Sequence, residues 1–205
     1  TIPHKQTIMR FLDEIDADAK KIGAVNTIVN KKGKLIGYNT DAPGAIEALK
    51  HAKVRLKGKK IIILGAGGAA RAIVYALKKS GAKVTILNRT LSHAKKLAKD
   101  FSCGYGALQD FEKYSPEIII NTTSVGLAKP SKSPLPNAKN IFKKKPVVMD
   151  IVYRPLMTKL LKDAKKAGCK IITGEKMLLA QAALSFKLWT GKKITRTIFS
   201  KIQLR

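Results

Sequence analysis

The spacing of hydrophobic positions changes near residue 60, so the chain divides into two stretches with different hydrophobic patterns. In the first stretch, apolar residues recur at helical spacing over 6–23 and predict a helix there. Two short β-rich runs, at 24–30 and 34–40, flank the turn signal KKGK and predict a hairpin. The segment NTDAPGAIEALK then predicts a helix over 41–51, with its first residue as a candidate cap.

From residue 60 onward, apolar runs typical of buried parallel strands alternate with helical stretches. The predicted strands lie at 60–65, 83–88, 117–123, 147–153 and 170–174. The predicted helices lie at 69–81, 91–101, 155–168, 176–191 and 195–203, with a proline-rich loop at 130–136. This alternation predicts an α/β fold built on a Rossmann-like, doubly wound parallel sheet with right-handed crossovers.

Composition places the chain among globular proteins, with 45% hydrophobic and 26% charged residues over 205 positions. No apolar run is long enough to span a bilayer. The two cysteines and three histidines indicate neither a disulfide framework nor a metal site. We therefore expect a cytoplasmic protein. The chain begins inside the motif TIPHK, so we also expect that residues upstream of it are absent.

The net charge of +28 is the unusual feature of the composition, and 34 of the 41 basic residues are lysine. Such an excess is compatible with binding to nucleic acid or to an acidic membrane. The lysines are spread along the chain, however, and an aromatic content of 6% is low for stacking on single-stranded bases. We interpret most of the charge as a solvated surface that can also steer anionic ligands.

The segment GAGGAARA at 65–72 directly follows a predicted strand and begins a predicted helix. In this setting Gly65 permits a tight turn, Gly67 permits close approach of a pyrophosphate, and Ala70 lets the helix pack closely on the strand. The free N–H groups at the helix start would receive the phosphates. The segment predicts a dinucleotide site, against the alternative of a structural glycine turn.

The end of the next strand, at 88–90, indicates which dinucleotide binds. An acidic residue there usually accepts hydrogen bonds from the ribose hydroxyls, but this chain has NRT. Arg89 can pair with a 2′-phosphate, and Asn88 and Thr90 add neutral hydrogen bonds. We therefore predict NADP rather than NAD, against the alternative that Arg89 is an ordinary surface arginine.

Lys5, Asn26 and Asp41 are polar residues that each follow a short apolar segment, so they could meet at one edge of a small domain. A lysine beside a carboxylate is a workable acid–base pair, because the ammonium can protonate a developing alkoxide while the carboxylate positions it. On residue type alone, a helix-capping role is also a sufficient explanation of Asp41.

Eight segments occur in the order and approximate spacing of shikimate dehydrogenases: TIPHK, GAVNT, GYNTDAPG, GAGGAARA, NRT, NTTSVG, DIVY and LLAQAALSFKLWTG. The chain resembles that family from residue 1 to about 191, and PHK, NTD and QA are segments that generic Rossmann proteins lack. The resemblance implies reversible NADPH-dependent reduction of 3-dehydroshikimate to shikimate, in aromatic amino-acid biosynthesis. A quinate/shikimate dehydrogenase with relaxed cofactor choice is the near alternative.

The resemblance also implies roles for individual residues. Lys5 would be the catalytic acid/base, and Asp41 would both cap its helix and act as the partner of Lys5. The substrate-binding residues implied are Thr1, Lys5, Asn26, Asp41, Tyr153 and Gln181. The cofactor-binding residues implied are Gly65, Ala66, Gly67, Gly68, Ala69, Asn88, Arg89, Thr90, His93, Val152, Gly174 and Met177. As ordinary structure, Gln181 would be a helix–helix polar residue, Asn26 a turn residue and Tyr153 a strand-end aromatic.

By the same resemblance, residues 1–52 would be the remainder of an N-terminal substrate domain and 53–177 the NADP-binding domain. Residues 178–205 would form helices that pack back on the first domain and complete it. The apolar residues expected in that packing are Leu178, Leu179, Phe186 and Trp189.

Three features depart from the family's pattern. A serine pair that holds the substrate carboxylate is missing together with the opening strands, position 93 is histidine, and NTDA replaces NTDG. An inactive NADP-binding fragment and a basic nucleic-acid-binding Rossmann module therefore stay open as alternatives. The resemblance implies small-molecule partners and a monomer or homodimer, without nucleic acid or membrane.

Overall fold

Two β-sheets organise residues 4–194, the part of the chain that the computed structural model describes. The first sheet, in the order β1-β3-β2, consists of β1 (Glu14–Ile15), β2 (Thr27–Lys31) and β3 (Lys34–Tyr38). Strands β2 and β3 pair antiparallel, with Val29 opposite Ile36, and β1 runs parallel to β3. Lys32 and Gly33 both have positive φ, 52° and 89°, as a tight hairpin turn requires. The predicted hairpin is confirmed.

The single helix predicted over 6–23 is wrong. The segment holds, in chain order, a 3₁₀ helix (Thr7–Phe11), the short strand β1 and helix α1 (Ala17–Ile22). Pairing with β3 overrides the helical spacing, because Asp13 N and Asp16 N donate to carbonyls of β3 at 3.0 and 2.9 Å. The Asp16 side chain then caps α1 by accepting from two backbone N–H groups of its first turn.

The second sheet has six parallel strands in the order β6-β5-β4-β7-β8-β9. They are β4 (Lys60–Leu64), β5 (Lys83–Asn88), β6 (Gly104–Ala107), β7 (Ile118–Asn121), β8 (Val147–Asp150) and β9 (Ile171–Ile172). The helices that follow α1 are α2 (Asp41–His51), α3 (Gly68–Lys79), α4 (Leu91–Phe101), α5 (Lys139–Lys143), α6 (Lys159–Lys166) and α7 (Gly174–Thr190). The strand order reverses between β4 and β7, which confirms the doubly wound α/β fold.

Strand β4 is central in this sheet, and its side chains alternate between two apolar cores. Ile61 and Ile63 pack with apolar residues of α2, α3 and α4, whereas Ile62 and Leu64 pack with those of α5 and α6. Helices on both faces hold the strands in register, so the carboxyl ends of β4, β5, β7 and β8 lie along one edge. In doubly wound sheets ligands bind at that edge.

Some elements of this sheet differ from the prediction. Strand β6 and helix α5 carry too weak a pattern to be predicted: β6 is the glycine-rich edge sequence GYGA, and α5 has five residues. Helix α6 begins at Lys159 rather than at 155, because the Thr158 hydroxyl accepts from Leu161 N at 3.3 Å and caps the helix there. The helix predicted over 195–203 lies outside the described residues.

Helix α7 leaves the six-stranded sheet and packs against α2 and β2. The contact is close at Gly44, where a Cβ would lie 2.9 Å from Gln181 Cβ and 3.0 Å from Gln181 N. Ser185 is buried on this face, whereas Phe186 and Trp189 are 37% and 59% exposed. Both aromatic side chains are exposed, so the core role expected for them is wrong; Trp189 Nε1 instead donates to Ile28 O of β2 at 2.9 Å.

Replacing Gly44 with alanine is expected to lower the free energy of unfolding by about 1–3 kcal/mol, because the added methyl group meets α7. Helix propensity alone predicts the opposite sign, a gain of about 1 kcal/mol. Gly67→Ala, at the N-cap of α3 where a Cβ meets nothing within 4 Å, is the comparison, and it should lose only the smaller difference between glycine and alanine as caps. Urea unfolding measures both variants. A Gly44→Ala protein as stable as the wild type contradicts the close packing.

Candidate active site

Lys5 enters the site from the loop that precedes the first 3₁₀ helix. Its backbone is fixed by Val25 N, which donates to Lys5 O at 2.7 Å. Its Nζ donates to Asp41 Oδ2, and the two side chains are only 12% and 7% exposed. A lysine and an aspartate in such burial stabilise one another's charge only when their other polar atoms are also satisfied.

The second oxygen of Asp41 is satisfied by Asn26, whose Nδ2 donates to Asp41 Oδ1 at 2.9 Å. The same amide group contacts Gln181 Oε1 at 3.4 Å. Thr40 N donates to Asn26 Oδ1 at 2.8 Å and fixes the orientation of the amide. Lys5, Asn26, Asp41 and Gln181 therefore converge from four separate segments of the chain. We call these four residues the polar cluster.

Beneath the polar cluster lies a set of buried hydroxyl groups that the sequence did not single out. Ser185 of α7 contacts Thr27 Oγ1 at 2.7 Å and Thr40 Oγ1 at 3.0 Å. Thr40 Oγ1 in turn contacts Gln181 Oε1 at 3.3 Å. These hydrogen bonds join α7 to β2 and to the start of α2, so they fix the position of Gln181 relative to Asn26.

Asp41 does not cap α2, contrary to the prediction. Ala42 N donates to Asn39 Oδ1 at 3.1 Å, and Asn39 Nδ2 donates to Ala24 O at 2.9 Å. Asn39 is therefore the capping side chain. Both carboxylate oxygens of Asp41 point instead to Lys5 and Asn26. The sequence NTD contains three possible caps, and only the fold decides among them.

The glycine-rich segment forms the turn from β4 into α3. Gly65 has φ +104°, and a Cβ there would lie 2.8 Å from Thr122 Oγ1. At Gly67 a Cβ would meet nothing within 4 Å, so the start of α3 is open to a ligand. At Gly68 a Cβ would lie 3.3 Å from Lys5 Cβ. Because Gly68 has no side chain, the stem of Lys5 lies directly against the N-terminus of α3. Ala66 and Ala69 belong to the same segment.

The end of β5 carries the residues predicted to select the cofactor. Asn88 Nδ2 donates to Thr90 O at 2.9 Å and shapes the turn into α4. Arg89, Thr90 and His93 are exposed. Within residues 4–194, no carboxylate pairs with the Arg89 guanidinium, so it is available to an anionic ligand at this edge of the sheet.

The remaining predicted cofactor residues lie beyond β8 and at the start of α7. Val152 is buried and Tyr153 is 46% exposed in the loop after β8, and Tyr153 makes no hydrogen bond to the polar cluster. A Cβ at Gly174 would lie 2.5 Å from Val152 O and 2.6 Å from Ile151 O, so only glycine fits there. Met177, one turn later, is buried in the core. Thr1 lies outside the described residues.

Asp150, the last residue of β8, is a buried carboxyl group that sequence reasoning missed. It accepts from Asn121 Nδ2 at 2.9 Å, Val152 N at 3.0 Å and Thr158 Oγ1 at 2.7 Å. Burial raises the pKa of Asp150 from 3.8 to about 6, and the three hydrogen bonds oppose that rise. The signal in the sequence was the pair of polar residues at the ends of adjacent strands, in NTTSVG and DIVY.

The basic charge is dense at the opposite edge of the six-stranded sheet. Two adjoining clefts there have volumes of about 520 and 490 Å³ and share Ser115 and Pro116. Their basic lining residues are Lys53, Arg55, Lys59, Lys60, Lys78, Lys83, Lys144, Lys145 and Lys170, with Glu117 as the acidic one. These clefts lie at the amino ends of the strands and do not include the polar cluster.

Comparison with known proteins agrees with this geometry. A family model described as shikimate / quinate 5-dehydrogenase matches residues 47–156. Models described as the shikimate dehydrogenase substrate binding domain and the shikimate 5′-dehydrogenase C-terminal domain match residues 1–28 and 174–196. The NADP(+)-type shikimate dehydrogenase of Pyrococcus abyssi is 46% identical over 193 residues, covering 93% of this chain and 71% of that protein. The chain belongs to the shikimate dehydrogenase family.

Solved structures of relatives agree with the fold. The shikimate 5-dehydrogenase of Thermus thermophilus in complex with NADP(H) and shikimate superposes with a TM-score of 0.89 at 42% identity, covering 98% of this chain and 75% of that one. A 5-ketofructose reductase of Gluconobacter sp. superposes with a TM-score of 0.84 at 35% identity, over 98% of this chain and 75% of that one. The resemblance to shikimate dehydrogenases stated from the sequence is thus confirmed.

The free energy of unfolding of the wild type, relative to Asp150→Asn, is expected to fall as pH rises from about 4 to 6. The folded pKa of Asp150 lies above the unfolded value, so the unfolded chain loses this proton first and the folded state bears the cost of a buried charge above about pH 6. A shift of about two units corresponds to about 3 kcal/mol. Urea unfolding of both proteins across this pH range measures the difference, and a constant difference contradicts the assignment.

Proposed function

We propose that this chain catalyses the reversible NADPH-dependent reduction of 3-dehydroshikimate to shikimate, a step of aromatic amino-acid biosynthesis. The observation that carries the proposal is the polar cluster itself: a buried Lys5–Asp41 pair, joined by Asn26 and Gln181, that lies against Gly68 at the start of α3. An acid–base pair and a dinucleotide turn in contact are what a dehydrogenase requires.

Lys5 is the proton donor in this mechanism, and NADPH, when bound, supplies the hydride that reduces the ring ketone. Lys5 Nζ gives its proton to the oxygen on which negative charge develops. Asp41 Oδ2 accepts from Nζ and keeps the ammonium oriented toward the substrate. In the direction of shikimate oxidation, a neutral Nζ takes the proton from the hydroxyl group.

Asn26 and Gln181 orient the substrate through hydrogen bonds to its hydroxyl groups, and we assign Thr1 and Tyr153 to the same task. Asn26 suits this role because its amide group is already held by Thr40 N and Asp41 Oδ1. A side chain fixed in advance loses little entropy when the substrate binds. Exposed Tyr153 is free to approach from the nicotinamide side.

The residues present fit NADP. The start of α3 is open at Gly67, and its free N–H groups can donate to a pyrophosphate. Arg89 binds the 2′-phosphate, because it is exposed and no carboxylate lies beside it in the described chain. Asn88, Thr90 and His93 adjoin Arg89. Gly65, Ala66, Gly68 and Ala69 shape the turn, and Val152, Gly174 and Met177 form the nicotinamide end.

We further propose the domain division given by the resemblance, 1–52, 53–177 and 178–205, and a cytoplasmic monomer or homodimer. Packing of α7 on α2 and β2 supports the assignment of 178–205 to the first domain. Within residues 4–194, no helix has the length and apolarity needed to cross a bilayer.

Three alternatives make different predictions. A quinate/shikimate dehydrogenase would use quinate and NAD as well. An inactive fragment would bind NADP without turnover. A nucleic-acid-binding module would use the two basic clefts at the opposite edge of the sheet, and its affinity for an oligonucleotide would fall steeply with salt. That module accounts for the charge but not for the polar cluster.

Lys5→Ala is expected to lower kcat for shikimate oxidation by about 10²- to 10⁴-fold, because it removes the proposed proton-transfer group. NADP affinity should be unchanged. Absorbance of the NADPH formed from shikimate measures turnover, and fluorescence titration measures binding. Lys20→Ala, at an exposed lysine of α1, is the control. Turnover in Lys5→Ala equal to that of the control contradicts the proposed role, and a wild type that binds NADP without turnover points to the fragment.

Arg89→Ala is expected to raise KM for NADP by about 10- to 100-fold, the value of a charge-assisted hydrogen bond to a phosphate. KM for NAD should change little, because NAD has no 2′-phosphate. Initial rates with each cofactor at saturating shikimate measure this selectivity. Lys96→Ala, at an exposed lysine of α4, controls for loss of general positive charge. Equal changes for NADP and NAD would refute the assignment of Arg89.

A further inference from the structure

We propose that Asp150 is a positioning residue whose buried carboxylate holds the loops after β7 and β8 in the arrangement that forms the nicotinamide end of the cofactor site. The inference rests on the proposed function and adds to it a residue that acts through these loops. Asp150 is fully buried at the carboxyl end of β8, beside Asn121 at the end of β7.

The partners of Asp150 match an ionised carboxylate. Asn121 Nδ2, Val152 N and Thr158 Oγ1 all donate to it, at 2.9, 3.0 and 2.7 Å. Asn121 Nδ2 and Val152 N are obligate donors, so these two partners favour the ionised form of the carboxyl group. The three donors are neutral groups, and they come from the end of β7 and from two positions in the loop after β8.

One arm of this network reaches the turn that receives the pyrophosphate. Asn121 Oδ1 accepts from Thr123 N at 3.0 Å and from Thr123 Oγ1 at 2.7 Å. The neighbouring Thr122 Oγ1 donates to Leu64 O at 2.7 Å and lies behind Gly65. Asp150 therefore orients Asn121 and, through it, Thr123, whereas the Gly65 turn is held separately by the bond from Thr122 to Leu64 O.

The second arm reaches the loop that carries Val152 and Tyr153. Asp150 Oδ1 holds Val152 N, and Ile151 N donates to Asn121 O at 3.1 Å. The carbonyl groups of Ile151 and Val152 lie against Gly174, so this loop also sets where α7 begins. No hydrogen bond within residues 4–194 joins the network to the polar cluster. Loss of Asp150 should therefore disturb the nicotinamide end, Tyr153 included, and leave both the polar cluster and Arg89 in place.

The test compares NADP with 2′,5′-ADP, which carries the adenosine end of the cofactor alone. In Asp150→Asn and Thr158→Val, kcat is expected to fall by up to about 100-fold through misplacement of the reacting groups. NADP binding by calorimetry should weaken, while 2′,5′-ADP affinity stays at the wild-type value. Thr158→Ser keeps the hydroxyl group and should restore kcat and NADP affinity. Circular dichroism verifies that each variant is folded.

A merely structural role would weaken NADP and 2′,5′-ADP together, and that result overturns the proposal. Wild-type kcat in Thr158→Val, or a Thr158→Ser protein as impaired as Thr158→Val, overturns it too. If Asp150→Asn does not fold, the two Thr158 variants decide. A wild type without turnover would contradict the proposed function, and the ratio of NADP to 2′,5′-ADP affinity would still decide the role of Asp150.

Discussion

The buried ion pair between Lys5 and Asp41 is the interaction on which the site depends. Its partners are distant in sequence, and its desolvation is compensated because Asn26 satisfies the second carboxylate oxygen. The stem of Lys5 lies against Gly68, the first residue of α3, so one side chain contacts both the polar cluster and the dinucleotide turn. This one side chain thus links the loop before the small sheet to the helix that follows β4 of the large sheet.

Two further polar networks hold the elements of the site, one on α7 and one at the end of β8. The hydroxyl groups of Thr27, Thr40 and Ser185 fix α7 against β2 and α2, and so place Gln181. The network centred on Asp150 joins the end of β7 to the loop after β8. Among the described residues, every buried side-chain polar atom has a hydrogen-bond partner. Rigid, fully satisfied networks are how a protein holds charged side chains in a fixed orientation away from water.

Much of this could be predicted from the sequence where local pattern and tertiary environment agree. The run KIIIL becomes β4 because both faces of the strand are buried, and GAGGAARA becomes the turn into α3. The polar residues that follow apolar segments allowed Lys5, Asn26 and Asp41 to converge, and the family resemblance implied their common site.

The rest depends on partners that are remote in sequence. β-Pairing with β3 breaks the helix predicted over 6–23, and Asn39 rather than Asp41 caps α2. The buried face of α7 depends on where α2 lies, so the sequence pattern could not show that Ser185 is buried and Phe186 is exposed. Asp150 gains its role from Asn121 and Thr158, which pattern alone does not bring together.

A double-mutant cycle on Lys5 and Asp41 tests whether the buried pair acts as one unit. The values of kcat/KM for shikimate with NADP are compared for the wild type, Lys5→Met, Asp41→Asn and the double variant. If the pair acts as one unit, the double variant loses no more activity than the worse single variant. Losses of kcat/KM that multiply in the double variant would show that the two residues act independently and would contradict a coupled pair.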